Sequence, residues 1–198
     1  DMESDSNVRA ILLTGSGDRA FSAGADIKEA ARLASNSDTP PPDPPKIDPN
    51  WHIASCTKPT IGAINGLAYG GAAVIASALD IRVGCERTSF RFLAASYGRI
   101  NSTWSLPMQV GWPLAKELLF TARVIDAEEA LKIGLLNRLV DSSEIMDEAN
   151  KIANQIAAND PRMVQGMKEI MISNTGESWE RMFKNEMEAM SGTLKPTP

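Results

Sequence analysis

The sequence predicts an α/β fold, with short strands and small-residue helices in its first half and helices alone towards its end. Residues 8–14 and 60–65 are nearly continuous apolar runs closed by glycine turns, as in parallel strands covered on both faces. From Leu114 onward, helix start signals and 3.6-residue apolar stripes replace them. The length, 198 residues with 43% hydrophobic and 23% charged, suits one sizeable core.

In chain order, the first strand run (VRAILLT) ends where Gly15, Ser16, Gly17 and Asp18 turn the chain. Residues 25–34 are good helix formers. Pro40, Pro41, Pro42, Pro44, Pro45 and Pro49 then forbid regular structure over residues 35–50, a loop within the domain because strands resume after it. A short helical piece from Trp51 to Cys56 leads through Lys58 and Pro59 to the second strand, which Gly66 turns. Gly70 and Gly71 open a helix over residues 72–79 whose small side chains require burial all round. Residues 80–85 and 88–92 read as further strands. Asp126 with Glu129, and Asp141 with Glu144, have capping-box spacing, and Asp160 precedes Pro161 as an N-cap precedes N1. Ile145, Ala149, Ile152, Ala153 and Ile156 form one stripe, and Trp179, Met182, Phe183, Met187 and Met190 another. Residues 1–124 are therefore expected to form a core, and 125–198 a helical region of the same functional unit.

A formal net charge of −5 argues against a nucleic-acid partner. No eighteen-residue apolar run and no basic stretch leading into an apolar one occurs, so a cytoplasmic protein without a membrane partner is expected. Cys56 and Cys85 have neither metal-ligand nor CxxC spacing, so buried thiols and no metal site are expected.

Several features read more simply as structure than as chemistry. GSGDRA lacks the third glycine of a dinucleotide fingerprint, and Asn65 stands where that site needs an acidic residue. A dinucleotide-dependent oxidoreductase is thus disfavoured against a strand-ending turn. The lone His52 has no nucleophile or acidic orienter in sequence and reads as a surface or structural side chain. The C-terminal methionines read as packing or subunit contact.

Two segments stand apart. FSAGADIKE and NGLAYGG each join a strand to a helix through small residues. Small residues let a ligand approach the backbone, and free N–H groups at a helix start attract negative charge. Two such turns converging would make a two-donor anion hole.

FSAGADIKE, then KPTIGAINGLAYGGA, then Asp80-Ile81-Arg82 and the later AKELLFTARVIDAEEALKIGLLNRLV resemble the crotonase superfamily of enoyl-CoA hydratases and isomerases. The resemblance runs from about Val8 to about Met190 and implies a crotonase-like ββα spiral core with a C-terminal helical trimerisation region. It further implies an acyl-CoA thioester as substrate, no cofactor beyond that coenzyme A, and assembly as a homotrimer or dimer of trimers. By residue-for-residue match, the backbone N–H groups of Ala23 and Gly71 correspond to the family's oxyanion hole, and Ala23, Ala25, Asp26 and Ile27 to backbone that lines the CoA.

The family's hydratase glutamates fall, by the same match, on Val74 and Ala94. Neither side chain can transfer a proton, so standard hydration by a glutamate pair is not expected. A carboxylate that other members carry further along falls on Ser102, beside Asn101. Tyr97, Arg99 and Ser102 are the polar candidates in this stretch, against the alternative that they pack at a subunit contact. Two readings stand: an acyl-CoA enzyme with non-standard acid/base groups, or an inactive acyl-CoA-binding protein. The resemblance also implies further strands and a helix before Val8 and another helix after Met190, so the 198 residues are expected to be the interior of a longer subunit.

Overall fold

A computed structural model describes residues 2–25, Arg32 and residues 48–195. Its strands form two four-stranded sheets. One contains β1 (Ile11–Thr14), β3 (Thr60–Ile64), β5 (Ile81–Cys85) and β8 (Arg138–Val140), in that order and all parallel. The other contains β2 (Ala20–Ser22), β4 (Leu67–Tyr69), β6 (Ser89–Arg91) and β7 (Ile125–Asp126), with only the β6–β7 pair antiparallel. Each of the first three strands of one sheet is followed directly by a strand of the other, so the chain winds as a spiral.

β3 shows why its sequence is apolar throughout: it is covered on both faces. Ile61 and Ala63 face a core shared with Val83, Cys85, Ile145 and Ala149, while Ile64 faces a second core with Ala68, Phe90, Phe92, Leu106, Leu118 and Leu135. The period of two along the strand thus divides its side chains between two packing layers. Gly62 belongs to the second face, where an added Cβ would lie 2.6 Å from Leu79 Cδ1.

The helices are α1 (Pro49–Ser55), α2 (Gly71–Ala78), α3 (Leu106–Val110), α4 (Trp112–Thr121), α5 (Ala127–Lys132), α6 (Ile145–Ala157), α7 (Pro161–Ser173) and α8 (Trp179–Ser191), with a 3₁₀ turn over Ala95–Tyr97. α2 buries Ala72, Ala73, Val74, Ala76, Ser77 and Ala78, as its small residues require. α6 lays Ile145 and Ala149 on the first sheet, with Ile152, Ala153 and Ile156 packed beside them. α8 buries none of its residues among those described.

Local cap signals translate directly where one side chain suffices. Asp126 accepts from Glu129 N–H at 2.8 Å, and Asp160 accepts from Arg162 N–H at 2.8 Å. Asp141 differs: only its carbonyl receives the Glu144 N–H, and Glu144 itself occupies the N-cap of α6 without a side-chain bond. β2 and β4, read from sequence as parts of turns, are three-residue strands defined by their mutual pairing. Beyond residue 124 the chain supplies β7 and β8 to the sheets as well as four helices. The helix expected over residues 25–34 lies almost wholly outside the described residues. Among the described residues no helix is long and apolar enough to cross a membrane.

Candidate active site

β2 and β4 run parallel, with Ala20 opposite Leu67 and Ser22 opposite Ala68, so the chain leaves both strands at the same end. There the two small-residue turns meet. An added Cβ at Gly24, whose φ is +87°, would lie 2.7 Å from Tyr69 O and 3.1 Å from Gly71 N. Only glycine adopts that conformation and tolerates that approach, so its identity seats the first turn against the second.

Gly70, at φ +58° and ψ −122°, is the N-cap of α2. Its N–H is fixed to Arg91 O at 2.9 Å, and its carbonyl receives Ala73 N–H at 3.1 Å and Val74 N–H at 3.3 Å. Gly71 is therefore the first helical residue, and its N–H has no intrahelical acceptor. No side chain among the described residues caps the helix, and an added Cβ at Gly71 would meet none of their atoms within 4 Å. Ala23 and Ala25, on either side of Gly24 in the chain, are exposed. Asp26 and Ile27 lie outside the described residues.

The far end of α2 is held by a buried cation. Arg82 is 1% exposed. Its guanidinium donates to Leu135 O at 2.6 Å, Gln109 Oε1 at 2.7 Å and Ala76 O at 3.3 Å, and to Leu79 O. Positive charge on these last carbonyls suits the negative end of the helix. Burial pushes the Arg82 pKa down to about 10, with Asp80 opposing the shift.

One turn into α2, Val74 lines a cavity of about 430 Å³ together with Trp51, Ile100, Asn101, Ser102 and Trp104. Trp51 and Trp104 meet edge to face, centroids 5.8 Å apart. Asp48 is the one carboxylate among the described lining residues, and its Oδ1 already accepts from Asn50 N–H at 2.8 Å and Trp51 N–H at 3.3 Å. Ser102 is fully buried at φ +56°. Its Oγ and Asn101 Oδ1 have no hydrogen-bond partner among the described residues.

The structure thus sets Gly24, the residue after Ala23, against Gly71, and places Val74 and Ser102 on the wall of one cavity. It separates the other candidates from that cavity: Ala94 starts the 3₁₀ turn, while Tyr97 and Arg99 are exposed and do not line it. Tyr69 directs its hydroxyl to within 3.4 Å of Ser89 Oγ. Trp51 and Asp48 reach the cavity from the end of the proline-rich stretch, and nothing in their spacing signals it.

The remaining sequence features have structural places. His52 is exposed, with Nε2 3.5 Å from Glu3 Oε2. Asn65 grips the GSGDRA turn, accepting from Gly15 N–H at 3.1 Å and donating to Gly15 O at 3.0 Å and Gly17 O at 2.8 Å. An added Cβ at Gly15 would sit 2.1 Å from Ala20 O, so this turn closes on its own backbone. Both thiols are buried and free.

A family model described as enoyl-CoA hydratase/isomerase matches residues 1–196. A short-chain-enoyl-CoA hydratase of Clostridium acetobutylicum is 38% identical over 175 residues, 85% of this chain and 66% of its own length. A carnitinyl-CoA dehydratase of Proteus mirabilis is 34% identical over 199 residues, 98% of this chain and 74% of its own. The chain therefore spans just under two thirds of the first relative and about three quarters of the second. The crystal structure of an enoyl-CoA hydratase from Bacillus anthracis superposes with a TM-score of 0.85 at 28% identity, covering 99% of this chain and 77% of that one. A monofunctional enoyl-CoA isomerase from M. smegmatis superposes at 0.72 and 26% identity, covering 92% and 79%. The spiral of paired sheets, the two glycine turns and the match across residues 1–196 lead to one assignment: the chain belongs to the enoyl-CoA hydratase/isomerase family, within the crotonase superfamily.

Proposed function

We propose that this protein is an acyl-CoA-processing enzyme that stabilises a thioester enolate between the backbone N–H groups of Ala23 and Gly71. The observation that carries the reading is the seating of Gly24 against Tyr69 and Gly71, which holds the two turns together. Donors fixed in advance act on an oxyanion that exists only as the reaction proceeds, and one such donor is worth about 3–4 kcal/mol. The helix dipole of α2 adds to the Gly71 donor. Ala23, Ala25, Asp26 and Ile27 would line the CoA, and no further cofactor enters. A cytoplasmic setting belongs to the same proposal.

Proton transfer differs from a glutamate-pair hydratase in this reading. Val74 and Ala94 offer no titratable group, and the Asp48 carboxylate is engaged in capping α1. The same observation favours a second reading, an acyl-CoA-binding protein without turnover. Binding and turnover measured side by side on enoyl-, hydroxyacyl- and ketoacyl-CoA compounds separate the two. Turnover above the solvent rate supports the enzyme, tight binding without it supports the binding protein, and no binding refutes both.

The terminal helices are proposed as the contact of a homotrimer or dimer of trimers. Trp179 is 89% and Phe183 63% exposed on α8, an apolar face that calls for a partner. Light scattering after size exclusion should give a trimer or hexamer; a monomer would refute the assignment.

A further inference from the structure

The peptide unit between Tyr69 and Gly70 is where the two glycine turns and β6 meet. Its oxygen, Tyr69 O, lies 2.7 Å from the place a Cβ would take on Gly24, and its N–H, that of Gly70, donates to Arg91 O at 2.9 Å. One planar unit therefore bears on the first turn through its oxygen and hangs from β6 through its nitrogen. Gly70 has no side chain to restrict its backbone, so such neighbours decide how it presents the Gly71 N–H that follows.

β6 is held unequally on its two sides. Towards β4 its pairing includes Arg91, opposite Tyr69, whereas towards β7 it stops at Phe90, opposite Ile125. At Arg91 the side chain takes over from the ladder: its Nε donates to Ala122 O at 2.7 Å, beyond the β7 end. Ala122 is a firm anchor, 2% exposed and left-handed at φ +49°, with its N–H on Leu118 O at 3.1 Å as the C-cap of α4. Resting on the acyl-CoA reading, we infer that Arg91 is a positioning residue for the anion hole: its bond to Ala122 O steadies the carbonyl from which Gly70 hangs, and through the Tyr69–Gly70 peptide it sets both turns. A cation on a C-terminal carbonyl also favours α4 by itself. Stability alone does not separate the two roles, but the polarisation of a bound thioester does.

Arg91→Met and Arg91→Gln form the test, because they put a methyl group and an amide nitrogen, respectively, where Nε stands. The probe is butyryl-CoA labelled with ¹³C at its thioester carbonyl, followed by infrared difference spectroscopy. In the unsubstituted protein the carbonyl band should fall below its frequency in water. The methionine variant should return it by about half or more towards that value, with affinity changed less than about threefold, and the glutamine variant should keep the full shift. In the free protein, Gly70 amide exchange should be about tenfold faster in the methionine variant and unchanged in the glutamine one. Loss of one such bond is small against the stability of a domain, so both variants should fold, as urea unfolding checks. A full shift in the methionine variant, equal losses in both variants, or unchanged Gly70 exchange overturns the inference. So does a methionine variant that fails to fold, since the bond would then hold the domain and not the hole. An unshifted band in the unsubstituted protein, or no binding, overturns the acyl-CoA reading itself, whereas a shift that survives in the methionine variant overturns this inference alone.

Discussion

Replacing Gly71 with proline is expected to lower turnover by roughly 10²–10³-fold, with little change in stability. Proline is well accepted at the first position of a helix, where the missing N–H has no intrahelical acceptor to lose. The residue before a proline is normally restricted by its Cβ, and Gly70 has none. An added Cβ at Gly71 meets nothing within 4 Å among the described residues. What disappears is the donor proposed for the thioester oxygen. Gly71→Ala is the matched control, since it keeps the N–H and places a methyl group in the same open space. Turnover numbers for both variants, with acyl-CoA affinity measured separately, decide the matter. Full activity in the proline variant would refute the assignment of the hole.

The second large effect falls on stability. Arg82→Ala should destabilise the fold by about 3–5 kcal/mol, because it strips several buried acceptors of their donor at about 1–3 kcal/mol each. The guanidinium serves carbonyls from α2, the loop after it and the segment before β8, together with Gln109. Without it, those acceptors stay buried and unpaired. Gln109 also bonds Ser77 O at 3.5 Å, and Ser77 meets Ser105 at 3.0 Å, so the loss spreads along a polar chain beside α2. Arg82→Lys should recover only part of the stability, because an ammonium cannot reproduce the guanidinium fork. Urea unfolding curves would measure both variants, and a loss below 1 kcal/mol for Arg82→Ala would contradict this account.

What the sequence made legible follows the range of the interactions involved. Asp126 and Asp160 could be read as caps because donor and acceptor lie two or three residues apart. The helix after Gly71 could be read as buried because its small residues surround it. β2 and β4 could not be read as strands, for each has three residues and their partners lie 47 positions away. Asn65 illustrates the same limit. In sequence it counts only as the wrong residue for a ribose, whereas in the fold its amide clasps a turn fifty residues upstream. The cavity was half legible: Val74 and Ser102 were marked by the family resemblance. The Trp51 and Trp104 pair, 53 positions apart, emerges only once the chain is folded.

The strand pairing also orders events in time. β3 and β5 pair residues 20 positions apart, as Ile61 with Ile81, whereas β1 reaches β3 across 49, as Leu12 with Ile61. Closing the longer loop costs about 0.8 kcal/mol more in chain entropy, before any length-independent term. Pairings this distant make for slow folding, with the β3–β5 pair as the natural seed and the N-terminal strands as later additions. Gly71 is built into the early part, directly after β4. Ala23 arrives with the late part, across the 47-residue span between β2 and β4. The two donors of the proposed anion hole thus come from opposite ends of the assembly sequence, and a thioester bound between them would fasten the last step to the first.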